Sequence, residues 1–186
     1  MRVNLANKIT TARIILIPFF IAAVIYSRLD IALGLFILAI ISDGLDGAIA
    51  RGLKQKTELG TILDPIADKL LLLSAYICLI LAKSPSLQIK FPPYVPIIVI
   101  SRDVIIVLGS VMVYMLKGDI KVSPSIIGKV TTFFQMITIV SILVQFKYSY
   151  LVWNTAVVMT ALSGIDYIWK GSKMLNENNS VLKKAV

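Results

Sequence analysis

The chain has 186 residues, of which 58% are hydrophobic and only 16% charged. That is too little polar surface for a water-soluble domain to cover itself, so a bilayer is the expected setting. A formal charge of +9 would suit nucleic acid, but no nucleic-acid motif accompanies it. The basic residues sit at the ends of apolar runs, where attraction to anionic lipid accounts for them.

A membrane helix needs about 20 mostly apolar residues, and six stretches qualify: Ile9 to Tyr26, Ile31 to Ala50, Ile62 to Ala82, Tyr94 to Leu116, Ser125 to Phe146 and Tyr150 to Trp169. The expectation is an all-α polytopic membrane protein with six transmembrane helices and short connections, forming one domain over residues 1–186. The first stretch follows Arg2 and Lys8 as a signal peptide would, but no small-residue cleavage site follows Tyr26, so it reads as an anchor. Basic residues fall mainly on one side of these spans: Arg2, Lys8 and Arg13, then Arg51, Lys54 and Lys56, then Lys117, Lys121 and Lys129, then Lys170, Lys173, Lys183 and Lys184. The other side holds Arg28, Lys83, Lys90 and Lys147. Retention of positive charge inside places both termini in the cytoplasm, in a multi-pass arrangement of bacterial inner-membrane type. The single cysteine, Cys78, lies in an apolar run and reads as a buried structural thiol.

The chain contains no histidine, which removes the usual general base and the commonest metal ligand. Ten residues are acidic, and four of them, Asp43, Asp46, Asp64 and Asp68, crowd into one short segment. Asp43 and Asp46 are three apart, and Asp64 and Asp68 four apart, so each pair shares a helix face. The spans that carry them are joined by a short connection and read as antiparallel neighbours, which brings four carboxylates to one depth near the cytoplasmic interface. Each ionised Asp in hydrocarbon costs about 2.5 to 3.5 kcal/mol on insertion scales, and four together repel one another. Lys69 and Arg51 do not neutralise four acids; divalent cations do. With oxygen ligands alone, Mg2+ or Mn2+ is expected, and two such ions would clamp a diphosphate. Gly47, Ala50 and Gly60 leave room for a headgroup, although small residues also serve helix packing in membranes. Pro65, directly after Asp64, suits the first turn of a third helix.

In order, these residues read Asp43-x-x-Asp46-Gly47-x-x-Ala50-Arg51, eight residues, then Gly60-x-x-x-Asp64-x-x-x-Asp68. The pattern resembles the complete signature of the CDP-alcohol phosphatidyltransferases, with each position filled and each gap of the expected length. The resemblance implies that Asp43, Asp46, Asp64 and Asp68 hold two divalent ions against the diphosphate of CDP-diacylglycerol, and that Asp68 is also the general base. It implies that Gly47, Ala50 and Gly60 line the nucleotide site with Arg51 supporting it, that CMP is released, and that the protein is a homodimer acting at the cytoplasmic face.

Within the family, Asn7-x-x-Thr10-x-x-Arg13 is similar to the opening of phosphatidylglycerophosphate synthases. Arg13 either reaches a phosphate or snorkels to lipid headgroups. Arg102, about nine residues into the fourth span, either faces an acceptor cavity or pairs with Asp103, and Lys129 is the further acceptor-site candidate. Ser110 stands where those synthases carry a second arginine. The run Gly128-Lys129-Val130-Thr131-Thr132, followed by Gln135, looks more like the cardiolipin synthases of the same family, whose acceptor is phosphatidylglycerol. Glycerol 3-phosphate is placed ahead of phosphatidylglycerol as acceptor, because Arg13, Arg102 and Lys129 still make a basic set. An ion-coupled transporter is a remote alternative, since relay acids spread along a pathway whereas these cluster at one depth.

Overall fold

The computed structural model describes residues 5–52, 58–82, 85–117 and 126–184, with side chains for 11–42, 67–82, 85–109, 126–170 and 172. Six helices and no strand are found among the described residues: α1 Leu5–Ile25, α2 Leu29–Gly52, α3 Glu58–Leu81, α4 Tyr94–Lys117, α5 Ile126–Leu143 and α6 Ser149–Lys184. Each overlaps one of the six apolar stretches. In α5 all of Ile126–Leu143, and in α6 the part Ser149–Lys170, are long and apolar enough to cross a membrane, while Thr11–Ile25 and Leu29–Ser42 are shorter apolar helices.

Two boundaries differ from expectation. α3 starts at Glu58, so Pro65 falls within the helix and does not open it. α6 runs past Trp169 to Lys184, because the added residues include Lys, Met, Leu and Glu, which favour helix, and no proline stops them.

The chain forms two compact units, Met1–Pro92 with Thr138–Ser149, and Pro93–Ile137 with Tyr150–Val186. In the first, α1 packs against both α2 and α3. Phe20 of α1 meets Phe36 of α2 with ring centroids 5.8 Å apart, and Val24, Ala39, Leu72, Ala75 and Leu79 are buried around them. α1 and α3 run in the same direction, since Arg13 meets Asp68 near their starts and the Cys78 thiol approaches the Ile21 carbonyl at 3.9 Å further along. Large apolar side chains such as Phe19, Ile25, Leu70 and Leu81 are exposed, as expected of helices that face hydrocarbon instead of water.

The ends of α1 and α5 close in the same way. Ser27 and Gln145 adopt positive φ of 61° and 56°. After α1, the N–H groups of Ser27 and Arg28 return to the carbonyls of Val24 and Ala23; after α5, those of Gln145 and Phe146 return to Ile142 and Ser141. These are Schellman caps, usually built on glycine. At the start of α2, Asp30 accepts from Arg28, and chiefly for that reason its carboxyl titrates below the ordinary value. Gln145 carries a further duty that glycine cannot perform. Its side-chain oxygen accepts from the Ile89 N–H at 2.7 Å, and its amide nitrogen donates to the carbonyls of Ile89 at 3.2 Å and Ile142 at 2.7 Å. The segment so held places the Phe91 ring 5.3 Å from that of Tyr76 and lets Lys90 donate to the Ala82 carbonyl just beyond α3.

In the second unit the buried positions are largely polar: Arg102, Thr131, Gln135, Thr160 and Ser163. Thr131 donates toward its own helix at Ile127 and toward Met159 of α6, and Gln135 donates to Thr160, which donates to Ala156. Hydroxyl and small residues let apolar helices approach closely while satisfying their own hydroxyl donors within the protein. The ring of Tyr167 lies where a Cβ on Gly109 would be 2.8 Å from it, and its hydroxyl donates to the Ile106 carbonyl at 3.0 Å.

Gln145→Ala keeps the left-handed backbone strain and loses the side-chain bonds, whereas Gln145→Gly loses the bonds but relieves about 1 kcal/mol of strain. Thermal melting in detergent is expected to rank wild type above Gln145→Gly and Gln145→Gly above Gln145→Ala.

Candidate active site

Arg13 lies two turns into α1, and its side chain is wholly buried. Its Nη1 donates to Asp68 Oδ1 of α3 at 2.5 Å, and the Asp68 side chain is 29% exposed. A guanidinium in an apolar helix has either to reach water or to find an acid. Here it finds Asp68, so the snorkelling role open to Arg13 in the sequence is overturned. Removing one member of such a pair leaves a buried charge uncompensated, at a cost of about 3 to 5 kcal/mol.

Asp43, Asp46, Gly47, Ala50 and Arg51 fall in the last three turns of α2, and Gly60 and Asp64 in the first two of α3. Their side chains, with those of Asn7 and Thr10 in α1, lie outside the described residues, and with them the convergence expected of the four carboxylates. Of that set, Asp68 alone has a described side chain. The Arg13 to Asp68 contact is the part that sequence reasoning missed. The signal that could have found it is an arginine inside the apolar run that begins at Ile9, since a buried guanidinium calls for an acidic partner.

In the second unit, Arg102 of α4 is only 7% exposed. Its Nη1 donates to Asp103 Oδ1 at 2.8 Å and its Nη2 to Ser163 Oγ of α6 at 2.5 Å. Gly128 makes room for it: a Cβ there would lie 3.2 Å from Arg102 Nη2, whereas one on Gly164 would meet Arg102 Cγ at an ordinary 3.6 Å. The pairing with Asp103 is thus present. Lys129, next to Gly128, is exposed.

A family model described as CDP-alcohol phosphatidyltransferase matches residues 3–162. The chain belongs to the CDP-alcohol phosphatidyltransferases. It is similar to the CDP-diacylglycerol--glycerol-3-phosphate 3-phosphatidyltransferase of Bacillus subtilis (strain 168), with 34% identity over 200 residues covering 95% of this chain and 99% of the relative. It is similar to the protein of the same name from Haemophilus influenzae, with 34% identity covering 91% and 90%. The Homo sapiens cardiolipin synthase (CMP-forming) is 29% identical, covering 91% of this chain and 62% of that protein. The family match takes in Arg13, the whole run from Asp43 to Asp68, Arg102 and Lys129.

Membership of this transferase family makes the protein an enzyme, and it gives the Arg13 to Asp68 pair a place inside the family's matched region. Arg13→Met is expected to lower stability by about 3 to 5 kcal/mol, and Arg13→Met with Asp68→Leu to recover most of that without recovering catalysis. Thermal midpoints and CMP release, measured on all four members of the cycle, check this.

Proposed function

We propose that the protein transfers the phosphatidyl group of CDP-diacylglycerol to the hydroxyl of glycerol 3-phosphate, giving phosphatidylglycerophosphate and CMP. The observation that carries this reading is the likeness, over nearly the whole chain, to relatives named for that reaction, together with the eight-residue motif filled at each position. The transporter alternative loses its footing, because the family's chemistry accounts for the acidic cluster.

The donor set suits a hard divalent cation: four carboxylates with no histidine anywhere in the chain. Asp43, Asp46, Asp64 and Asp68 are the residues to hold Mg2+ or Mn2+, two ions in this reading. Bound there, such ions supply charge compensation to the diphosphate and to the attacking and leaving oxygens. Asp68 accepts the proton of the acceptor hydroxyl as that oxygen bonds to the lipid-side phosphorus and the bond from this phosphorus to the CMP oxygen breaks. Arg13, in contact with Asp68, orients its carboxylate. Gly47, Ala50 and Gly60 admit the nucleotide, and Arg51 adds positive charge beside it. Asn7, Thr10, Arg13, Arg102 and Lys129 serve the phosphate groups of donor and acceptor.

The residues that suggested phosphatidylglycerol as acceptor have packing duties. Thr131 bonds to Ile127 and Met159, and Gln135 to Thr160, so their presence follows from helix contact as readily as from acceptor choice. That supports glycerol 3-phosphate. A single domain of six spans with both ends cytoplasmic, an active site at that face, an inner membrane of bacterial type and a homodimer complete the proposal. The two membrane-length helices and the exposed apolar side chains are its support.

Purified protein given CDP-diacylglycerol and glycerol 3-phosphate is expected to release CMP only with Mg2+ or Mn2+ and to form phosphatidylglycerophosphate, identified by mass spectrometry. Cardiolipin formed from phosphatidylglycerol in its place would overturn the acceptor. Asp43→Asn and Asp68→Asn are each expected to abolish CMP release, the second with lower stability because Arg13 loses its partner. Arg102→Ala is expected to raise the KM for acceptor more than that for donor, and an equal effect on both would remove Arg102 from the acceptor side.

A further inference from the structure

Beyond the Arg13 to Asp68 contact, residues of α1 and α3 line a groove of about 860 Å³. Its walls are apolar, with Ile14, Ile17 and Ile21 from α1 facing Leu70, Leu73 and Ile77 from α3. The polar exceptions offer little to a ligand: Ser74 donates to the Leu71 carbonyl of its own helix at 2.9 Å, and Cys78 is buried. Pro18, also in the wall, carries no N–H for the Ile14 carbonyl and interrupts the helix ladder on this side.

Position and length say what fills it. Because α1 and α3 are parallel, the end of the groove at Ile14 and Leu70 adjoins Arg13 and Asp68, and the far end lies at Ile25 and Leu81. Twelve or so helical residues span about 17 Å, close to one leaflet of a hydrocarbon core about 30 Å thick. The groove therefore starts beside charged groups and runs one leaflet deep with no polar partner on offer.

We infer that this groove holds one acyl chain of the CDP-diacylglycerol donor, laid along α1 and α3 with its carbonyl end next to Asp68. The inference rests on the proposed function, since it is the donor's diphosphate that brings the lipid to Asp68. A chain seated here anchors the donor along the bilayer normal and leaves its phosphorus at the carboxylates.

The test compares a long-chain donor with dihexanoyl CDP-diacylglycerol, whose short chains end near the mouth. Ile21→Trp and Leu73→Trp, placed midway along the groove, are expected to lower the ratio of kcat/KM for long-chain over short-chain donor by about tenfold, the worth of a few buried methylenes. Phe19→Trp, on an exposed part of α1, is the comparison variant, and its ratio is expected to match wild type. CMP release from the short-chain donor reports that each variant is folded. A ratio unmoved by both groove variants, or moved equally by Phe19→Trp, overturns the inference, as does an oxidative cross-link between two copies through Cys78, which would seat a second chain there. Absence of CMP release by wild type from either donor is a different result: it would refute the transferase reading and leave the groove assignment without its basis.

Discussion

An ionised side chain on an apolar helix has to be compensated from within the protein, and the described part of this chain is arranged around that requirement. Arg13 is buried against Asp68, and Arg102 against Asp103 and Ser163. The cost of leaving any one of these charges alone, several kcal/mol, is a large share of the net stability of a chain this size. Each pairing therefore also fixes geometry. The contact between Arg13 and Asp68 sets the register of α1 along α3, and the apolar packing beyond it follows from that register.

The same requirement bears on catalysis. One arginine offsets one of four aspartates and leaves an excess of negative charge in that segment, which divalent cations are suited to balance. Asp68 consequently stands between two positive influences in the proposed site, the guanidinium and the metal. The proposed role as base calls for a carboxylate held in one orientation, which contact with the buried Arg13 supports.

Much of the helical layout was legible because apolar runs of membrane length are a coarse, redundant signal that survives errors of several residues. The start of α3 was misplaced because Pro65 carries a strong preference for a first turn, whereas the helix begins two turns earlier at Glu58. The partner of Arg13 was hidden for a different reason. Arg13 and Asp68 are 55 residues apart, and no local periodicity links positions on two helices that are not consecutive. The hydroxyl run at Thr131 and Thr132 was legible but ambiguous, since a threonine that donates to the carbonyl four residues back, as Thr132 does to Gly128, looks the same in sequence as one that faces a ligand.

That ambiguity sharpens the question of how a doubly charged acceptor would be held. Arg102 already has Asp103 on one terminal nitrogen and Ser163 on the other, while its Nε has no hydrogen-bond partner. A phosphate arriving there has to displace Asp103, displace Ser163 or approach the Nε. Displacing Ser163 costs one charge-assisted hydrogen bond to a neutral hydroxyl; displacing Asp103 leaves a carboxylate 19% exposed to find another cation. Exchange at Ser163 or approach at Nε is thus the cheaper route. Gly128, which keeps a side chain away from this guanidinium, would then preserve its room to shift in the proposed acceptor site.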